Sequence, residues 1–247
     1  MRLKVINSGS IGNAYLLETK DSSLLIEAGV KFQEIQKAAD FDLLKIKACI
    51  VTHEHMDHAK GLKSVMQSGI PIIASPGTFD ALNISKEQRD VEIRHSGSVT
   101  LNGWTIHAFT TQHDAKEPLG FIIEKEEIGR VLFITDSYLL KWNLSKYSFD
   151  FVIIEANYCE EIVKHIQAKR VDDYVNKRRF NSHMSIQTTI ETLSRFNRSQ
   201  LKQIVLIHLS DAVSHERDFK KQVEDLFGVP TTIAAPGVEI NFSKNQF

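Results

Sequence analysis

Short apolar runs separated by turn residues fill most of the chain. Leu3 to Ile6 reads as a first strand, with a tight turn at Ser8, Gly9, Ser10 and Gly12. Ala14 to Glu18 and Ser23 to Glu27 read as two strands around a Lys20-Asp21 turn. Phe32 to Ala39 places Phe32, Ile35 and Ala39 at the spacing of one helix face. Ala48 to Thr52 has the look of a strand buried on both faces. The pattern is helical from His58 to Gln67, returns to strand at Ile70 to Ala74 and turns at Pro76-Gly77. Val91 to Val99 holds a strand and a turn, and Trp104 to Phe109, Leu119 to Glu124 and Arg130 to Thr135 are further strands. Phe149 to Glu155 is strongly apolar and ends on a carboxylate. Glu160 to Arg179 and Ser185 to Phe196 have helical patterns, Gln203 to Ile207 a strand pattern, and His215 to Leu226 a helical one. Thr231 to Ala234, closed by Pro236-Gly237, and Val238 to Phe242 are the last strands.

The order is a strand-rich first half, scattered helices, then a second set of strands. No Pro, Gly or Ser linker divides it, and no internal repeat is visible. An α/β fold follows, with two sheets covered by helices in one domain over residues 1–247.

Composition narrows the class. With 42% hydrophobic and 25% charged residues, the chain is that of a globular protein. Its 31 acidic and 30 Lys and Arg residues leave a formal charge of -1, which does not advertise a polyanion partner but permits a local basic patch. Cys49 and Cys159 each sit beside an apolar run, so two separate buried thiols are expected and a disulfide-rich secreted domain is excluded. The first residues lack the apolar stretch of a signal peptide. The apolar runs fall well below the roughly 18 residues of a membrane span. No membrane partner and a cytoplasmic location are the expectation, and the oligomeric state is left open.

The chemistry concentrates in His53-Glu54-His55-Met56-Asp57-His58, where three of the ten histidines and two carboxylates fall within six residues. In extended backbone His53 and His55 point to the same side. Asp57 and His58 follow at the turn into a helix. Imidazoles and carboxylates without neighbouring thiols suit Zn, Mn or Fe in a reactive centre, not an all-sulfur structural site. Four ligands are too few for two ions. His113, Asp136 and His208 each come just after an apolar strand, where loops at strand ends commonly assemble a site.

These residues resemble the metallo-β-lactamase superfamily, and within it the YycJ/WalJ-type exonucleases. The resemblance rests on Ser8-Gly9-Ser10-Ile11-Gly12-Asn13, Leu25-Ile26-Glu27-Ala28-Gly29, the His53 to His58 signature with Gly61, His113-Asp114-Ala115 and Thr135-Asp136. It continues in Glu155-Ala156-Asn157, Ser182-His183-Met184-Ser185 and Ile207-His208-Leu209-Ser210. The departures are Glu27 for a usual aspartate, Tyr158-Cys159 for His-Asp, Ser182-His183-Met184-Ser185 for Gly-His-Leu-Ser, and Asp211 to His215 for an Asn-rich stretch.

The resemblance implies a four-layer αββα sandwich holding two divalent ions, with Zn the first expectation and Mn or Fe the alternatives. It assigns His53, His55 and His113 to one ion, Asp57, His58 and His208 to the other, and Asp136 to the bridge between them. It matches His183 to a histidine that works near the leaving group. A bridging hydroxide is then the nucleophile, and Asp57 orients it as well as ligating. Such a centre cleaves phosphodiesters, thioesters and lactones alike, so the surroundings choose the substrate.

Lys164, Lys169, Arg170, Lys177, Arg178 and Arg179, interleaved with Tyr158, Tyr174 and Phe180, form a candidate basic rim for a phosphate backbone. Glu160, Glu161, Asp172 and Asp173 in the same region fit an ordinary solvated helix instead. Asn157, Arg178, Arg179 and Ser210 are the candidate substrate contacts. The leading expectation is a nuclease or phosphodiesterase acting on DNA or RNA. The alternative is a thioester or lactone hydrolase. A non-catalytic binding module is disfavoured by the retention of seven candidate ligands.

Overall fold

The structure is a computed structural model that describes residues 1–167 and 182–242. Most of the expected basic rim, including Arg178 and Arg179, lies outside the described residues.

Two seven-stranded sheets form the centre. The first contains β1 (Arg2–Asn7), β2 (Ala14–Glu18), β3 (Ser23–Ile26), β4 (Ile46–Ile50), β5 (Ile72–Ala74), β6 (Val91–Glu92) and β14 (Glu239–Asn241), in the order β14-β1-β2-β3-β4-β5-β6. The second contains β7 (Ser98–Leu101), β8 (Trp104–Thr110), β9 (Leu119–Lys125), β10 (Gly129–Ile134), β11 (Phe151–Glu155), β12 (Gln203–Ile207) and β13 (Thr231–Ile233), in the order β13-β12-β11-β10-β9-β8-β7. Each sheet is mixed. β3 to β6 are parallel neighbours in the first. β10 to β13 are parallel neighbours in the second.

Side-chain alternation explains why these strands read as unbroken apolar runs. Leu24, Ile26, Ala48 and Ile50 face Val131, Phe133, Phe151, Ile153, Val205 and Ile207 between the sheets. Their neighbours Leu25, Cys49 and Val51 pack outward on Ile35, Leu62 and Val65. Leu132, Ile134, Val152, Ile154 and Leu206 pack outward on Ile186, Leu193, Phe219 and Val223. A strand buried on both faces has no polar side to show. The result is the expected αββα arrangement.

Three details depart from the sequence reading. The helical stretch begins earlier and is broken: α2 (Met56–Ala59) and α3 (Leu62–Gln67) follow α1 (Phe32–Ala38) and are separated at Lys60-Gly61. There Gly61 N–H donates to the Ala28 carbonyl at 2.7 Å. Pro76-Gly77 is no simple turn but opens a helix, Pro76–Ala81. Ser75 caps it by accepting from Thr78 N–H at 3.0 Å, and proline suits the first helical position. Both cysteines are free, but Cys159 is only half-buried. No helix among the described residues is long and apolar enough to cross a membrane.

Candidate metal centre

Both sheets deliver side chains to one edge. The chain leaves β4 at Ile50 and runs extended into His53 and His55, whose rings lie 4.6 Å apart on the same side. His55, with φ -60 and ψ 146, is the last extended residue before α2, which carries Asp57 and His58 in its single turn. The turn is pinned from behind: Asn13 N–H donates to the Asp57 carbonyl at 2.7 Å, and Ala28 N–H to the His58 carbonyl at 2.8 Å. Gly29 lies so close that a Cβ there would collide with the Asp57 carbonyl.

The second sheet supplies the rest. His113 follows β8, Asp136 follows β10 and His208 follows β12. Asp136 and His208 take left-handed backbone, with φ 47 and φ 54, as does Glu27 after β3 with φ 64. A non-glycine residue held there costs about 1–3 kcal/mol, a strain typical of functional sites. Here the turn re-aims each side chain from its strand direction into the cluster.

Two groups of ligand atoms carry the expected ligands: His53, His55, His113 and Asp136 converge in one, and Asp57, His58, Asp136 and His208 in the other. A third, Asp136, Glu155, His183 and His208, adjoins them. His55 Nδ1 is 3.1 Å from His53 Nε2 and 3.0 Å from His113 Nε2. Asp136 Oδ2 lies 3.5 Å from His53 Nε2 and 3.1 Å from His58 Nε2, between the two groups. His58 Nε2 is 3.3 Å from Asp57 Oδ2, and His208 Nε2 is 3.9 Å from it.

The donor set fits divalent ions. His113 Nδ1 donates to the Ser182 carbonyl at 2.7 Å, which leaves the Nε2 lone pair facing the other imidazoles. Converging lone pairs of this kind are stabilised by a cation. His53, His58, Asp136 and His208 are all buried, which shields such a centre from water.

A family model described as "Beta-lactamase superfamily domain" matches residues 23–209. The chain belongs to the metallo-β-lactamase superfamily. On this superfamily fold, the paired clusters are those of a metal-dependent hydrolase. The chain is 29% identical over 232 residues to the Exodeoxyribonuclease WalJ of Streptococcus pneumoniae serotype 2, covering 85% of this chain and 81% of that one. It is 28% identical over 148 residues to Ribonuclease J 1 of Streptococcus pyogenes serotype M3. That match covers 52% of this chain but only 26% of the relative's length. Among solved structures, the metallo-beta-lactamase fold protein YhfI from Bacillus subtilis superposes with TM-score 0.73 at 18% identity, covering 97% of this chain and 98% of that one. The short form of human tRNase Z gives TM-score 0.64 at 16% identity, covering 98% and 99%. The two structural likenesses bear on the fold.

Outside the superfamily's ligand positions, three residues singled out as motif members prove to be supports. Glu27 is fully buried, accepts from Thr52 N–H at 3.3 Å and places Oε2 3.6 Å from His58 Nδ1. Asn13 places Nδ2 3.2 Å from His58 Nε2, and its Oδ1 accepts from Gly9 N–H at 2.9 Å. Glu155 ties the loop after β10 to the His183 segment. Its Oε2 accepts from Ser137 N–H at 3.1 Å and Met184 N–H at 3.2 Å, and its Oε1 is 2.7 Å from His183 Nδ1. The signal for Glu155 was a carboxylate closing an otherwise apolar strand.

His183 therefore stands at the centre, with its ring 5.2 Å from that of His208 and 5.7 Å from that of His113. Asn157, a candidate substrate contact, donates from Nδ2 to the His208 carbonyl at 2.8 Å and is buried. Ser210 is partly exposed, and its N–H donates to the Asn157 carbonyl at 3.0 Å.

Electrostatics divide the imidazoles. Burial holds His53 well below the usual histidine range, reinforced by the charge of His58. Burial also lowers His113. For His58 burial acts the same way, but Asp136 and Glu27 outweigh it and hold the ring well above that range. Burial pushes the Asp136 carboxyl up, yet His208, His58 and His183 together hold it well below the carboxylate range. Glu27 is raised, since its burial outweighs the pull of His58.

Proposed function

We propose that this chain is a nuclease that hydrolyses phosphodiester bonds of nucleic acid. The observation that carries the reading is the Glu155–His183 pair beside the two metal groups. An ionised carboxylate can only accept, so His183 Nδ1 carries the proton of this contact and donates to Glu155 at 2.7 Å. Glu155 is itself fixed by two backbone N–H groups and excluded from water, so it holds the imidazole in one orientation. His183 retains some exposure, 24% of its side chain, as a residue that meets substrate requires.

A leaving sugar alkoxide needs a proton, and His183 delivers it from Nε2. A leaving thiolate does not, so a thioester hydrolase makes no use of this pair. His53, His55 and His113 would hold one divalent ion and Asp57, His58 and His208 a second, with Asp136 within reach of both, and the ions would supply Lewis acidity and an activated water. The ligands accommodate Zn, Mn or Fe. Asp57, with 26% of its side chain exposed, would orient the attacking water. The name of the WalJ relative supports the nucleic-acid substrate.

The test is a comparison on metal-analysed protein. End-labelled single- and double-stranded DNA and RNA are assayed beside bis-p-nitrophenyl phosphate, a thioester and a lactone. Turnover of oligonucleotide and of the model diester is expected. Turnover of the thioester or lactone alone would replace the reading with the alternative hydrolase.

A further inference from the structure

One face beside the centre has no role in holding metals. Met56, 61% exposed, directly precedes Asp57, and Ile11, 78% exposed, lies in the turn between Ser8 and Asn13. That turn abuts the same loop. Gly12 packs against the Gly29 carbonyl and Val30, and Asn13 N–H reaches the Asp57 carbonyl. Ile11 and Met56 thus belong to two segments that meet at the Asp57 carbonyl. Isolated exposed apolar residues are ordinary, but a pair at the mouth of a polar centre marks a contact surface.

The surface continues as positive charge. Lys60 lies one helical turn beyond Met56, its N–H donating to the Met56 carbonyl at 3.0 Å. Lys63 follows in the first turn of α3, and Lys31 directly follows Val30, whose carbonyl Gly61 closely approaches. All three lysines are exposed, and none pairs with a carboxylate among the described residues. The whole chain has a formal charge of -1, so these three cations are a local feature and not a general basicity. Apolar side chains beside unpaired cations match the two parts of a single strand, bases and phosphates.

We infer that Ile11, Met56, Lys31, Lys60 and Lys63 bind single-stranded nucleic acid where it extends past the metal centre on the Asp57 side. The inference rests on the nuclease reading and adds the path of the strand. The lysines neutralise phosphates beyond the scissile one, and the apolar pair receives a base next to it. A small substrate reaches the centre without touching this face, so the surface separates polymer from small diester.

The experiment compares the full chain with its Lys31→Gln, Lys60→Gln, Lys63→Gln triple variant. A control triple variant carries Lys20→Gln, Lys45→Gln and Lys47→Gln, at the opposite end of the first sheet. Binding of a fluorescent oligodeoxythymidylate and an oligouridylate, each about ten nucleotides long, is measured by anisotropy over a salt series. Three lost phosphate contacts at about 0.7 each should make the log–log salt slope shallower by about two. Affinity at low salt should fall with it, while kcat/KM on bis-p-nitrophenyl phosphate and the control variant's binding stay at the full chain's values. Unchanged oligonucleotide binding, or an equal loss in the control, would overturn the inference. So would an equal loss on the small diester. The binding arm reads this surface whether or not the protein turns over a diester, so its failure and that of the nuclease reading are distinguishable.

Discussion

His58 and His183 are both imidazoles at the same centre, and their partners give them opposite tasks. His58 is fully buried between Asp57, Asp136 and Glu27, and those carboxylates hold its pKa well above the usual range. The raised pKa favours the protonated imidazole in the metal-free protein, so an ion in the second group competes with that proton. His53 and His113, both lowered, enter their group already neutral. Binding at the second group should release about one proton near neutrality, and its affinity should fall as the pH drops. Affinity at the first group should change less over that window. Calorimetric titration in buffers of different ionisation enthalpy measures the release, and equal release at both groups would contradict the division. His183 donates to Glu155 instead, and on the proposed reading it protonates the leaving oxygen. His183→Ala should lower kcat on an oligonucleotide by about 10²–10⁴-fold with metal content unchanged. The loss should shrink on bis-p-nitrophenyl phosphate, whose leaving group needs no proton. Loss of an ion in this variant would make His183 a ligand.

At the scale of elements, the centre depends on how tightly one loop is backed. The extended segment from β4 and the single turn of α2 carry His53, His55, Asp57 and His58. Within the loop, His58 N–H and Ala59 N–H on the His55 carbonyl close the turn but do not fix it against the sheet. The β3–α1 connection does, through Ala28 N–H on the His58 carbonyl and through the absence of a side chain at Gly29. Gly29→Ala places a methyl against the Asp57 carbonyl. It should cost about 1–3 kcal/mol, as overpacking in a tight interior does. The denaturation midpoint should fall, and metal affinity should fall with it because Asp57 and His58 move together. A midpoint unchanged from the parent would show that the loop yields without cost.

For the whole molecule, the metal groups join the two sheets. His53, His55, Asp57 and His58 come from the first, and His113, Asp136 and His208 from the second. Ions bound there link strand ends that the apolar core between the sheets already brings together. An ion present at a hundredfold its dissociation constant stabilises the native state by about 2.7 kcal/mol. Chelation should therefore lower the unfolding temperature measured by scanning calorimetry. Asp136→Asn should reduce metal content and most of the metal-dependent rise in that temperature, because Asp136 belongs to both groups. A full metal-dependent rise in Asp136→Asn would remove it from the shared position.

The layered architecture was legible from periodicity because strands buried on both faces have to be apolar throughout, as Ala48 to Val51 and Phe151 to Ile154 are. The densest part of the centre was legible because chemistry and sequence proximity coincide in His53 to His58. Local rules also had a limit: Pro76-Gly77 carries a turn signature, but the Ser75 cap makes it a helix start. Glu155, Glu27 and Asn13 showed only as members of motifs. Their work is done on residues far along the chain: Glu155 on His183, Glu27 and Asn13 on His58. The grouping of Ile11 and Lys31 with Met56 and Lys60 is of the same kind, created where the turn before β2 and the start of α1 meet the metal loop. The sequence alone determined residue type and spacing, and hence the strand runs and the metal-binding chemistry. Only the tertiary structure decided which distant carboxylate faces which imidazole, because a charge acts through distance in space and not through separation along the chain.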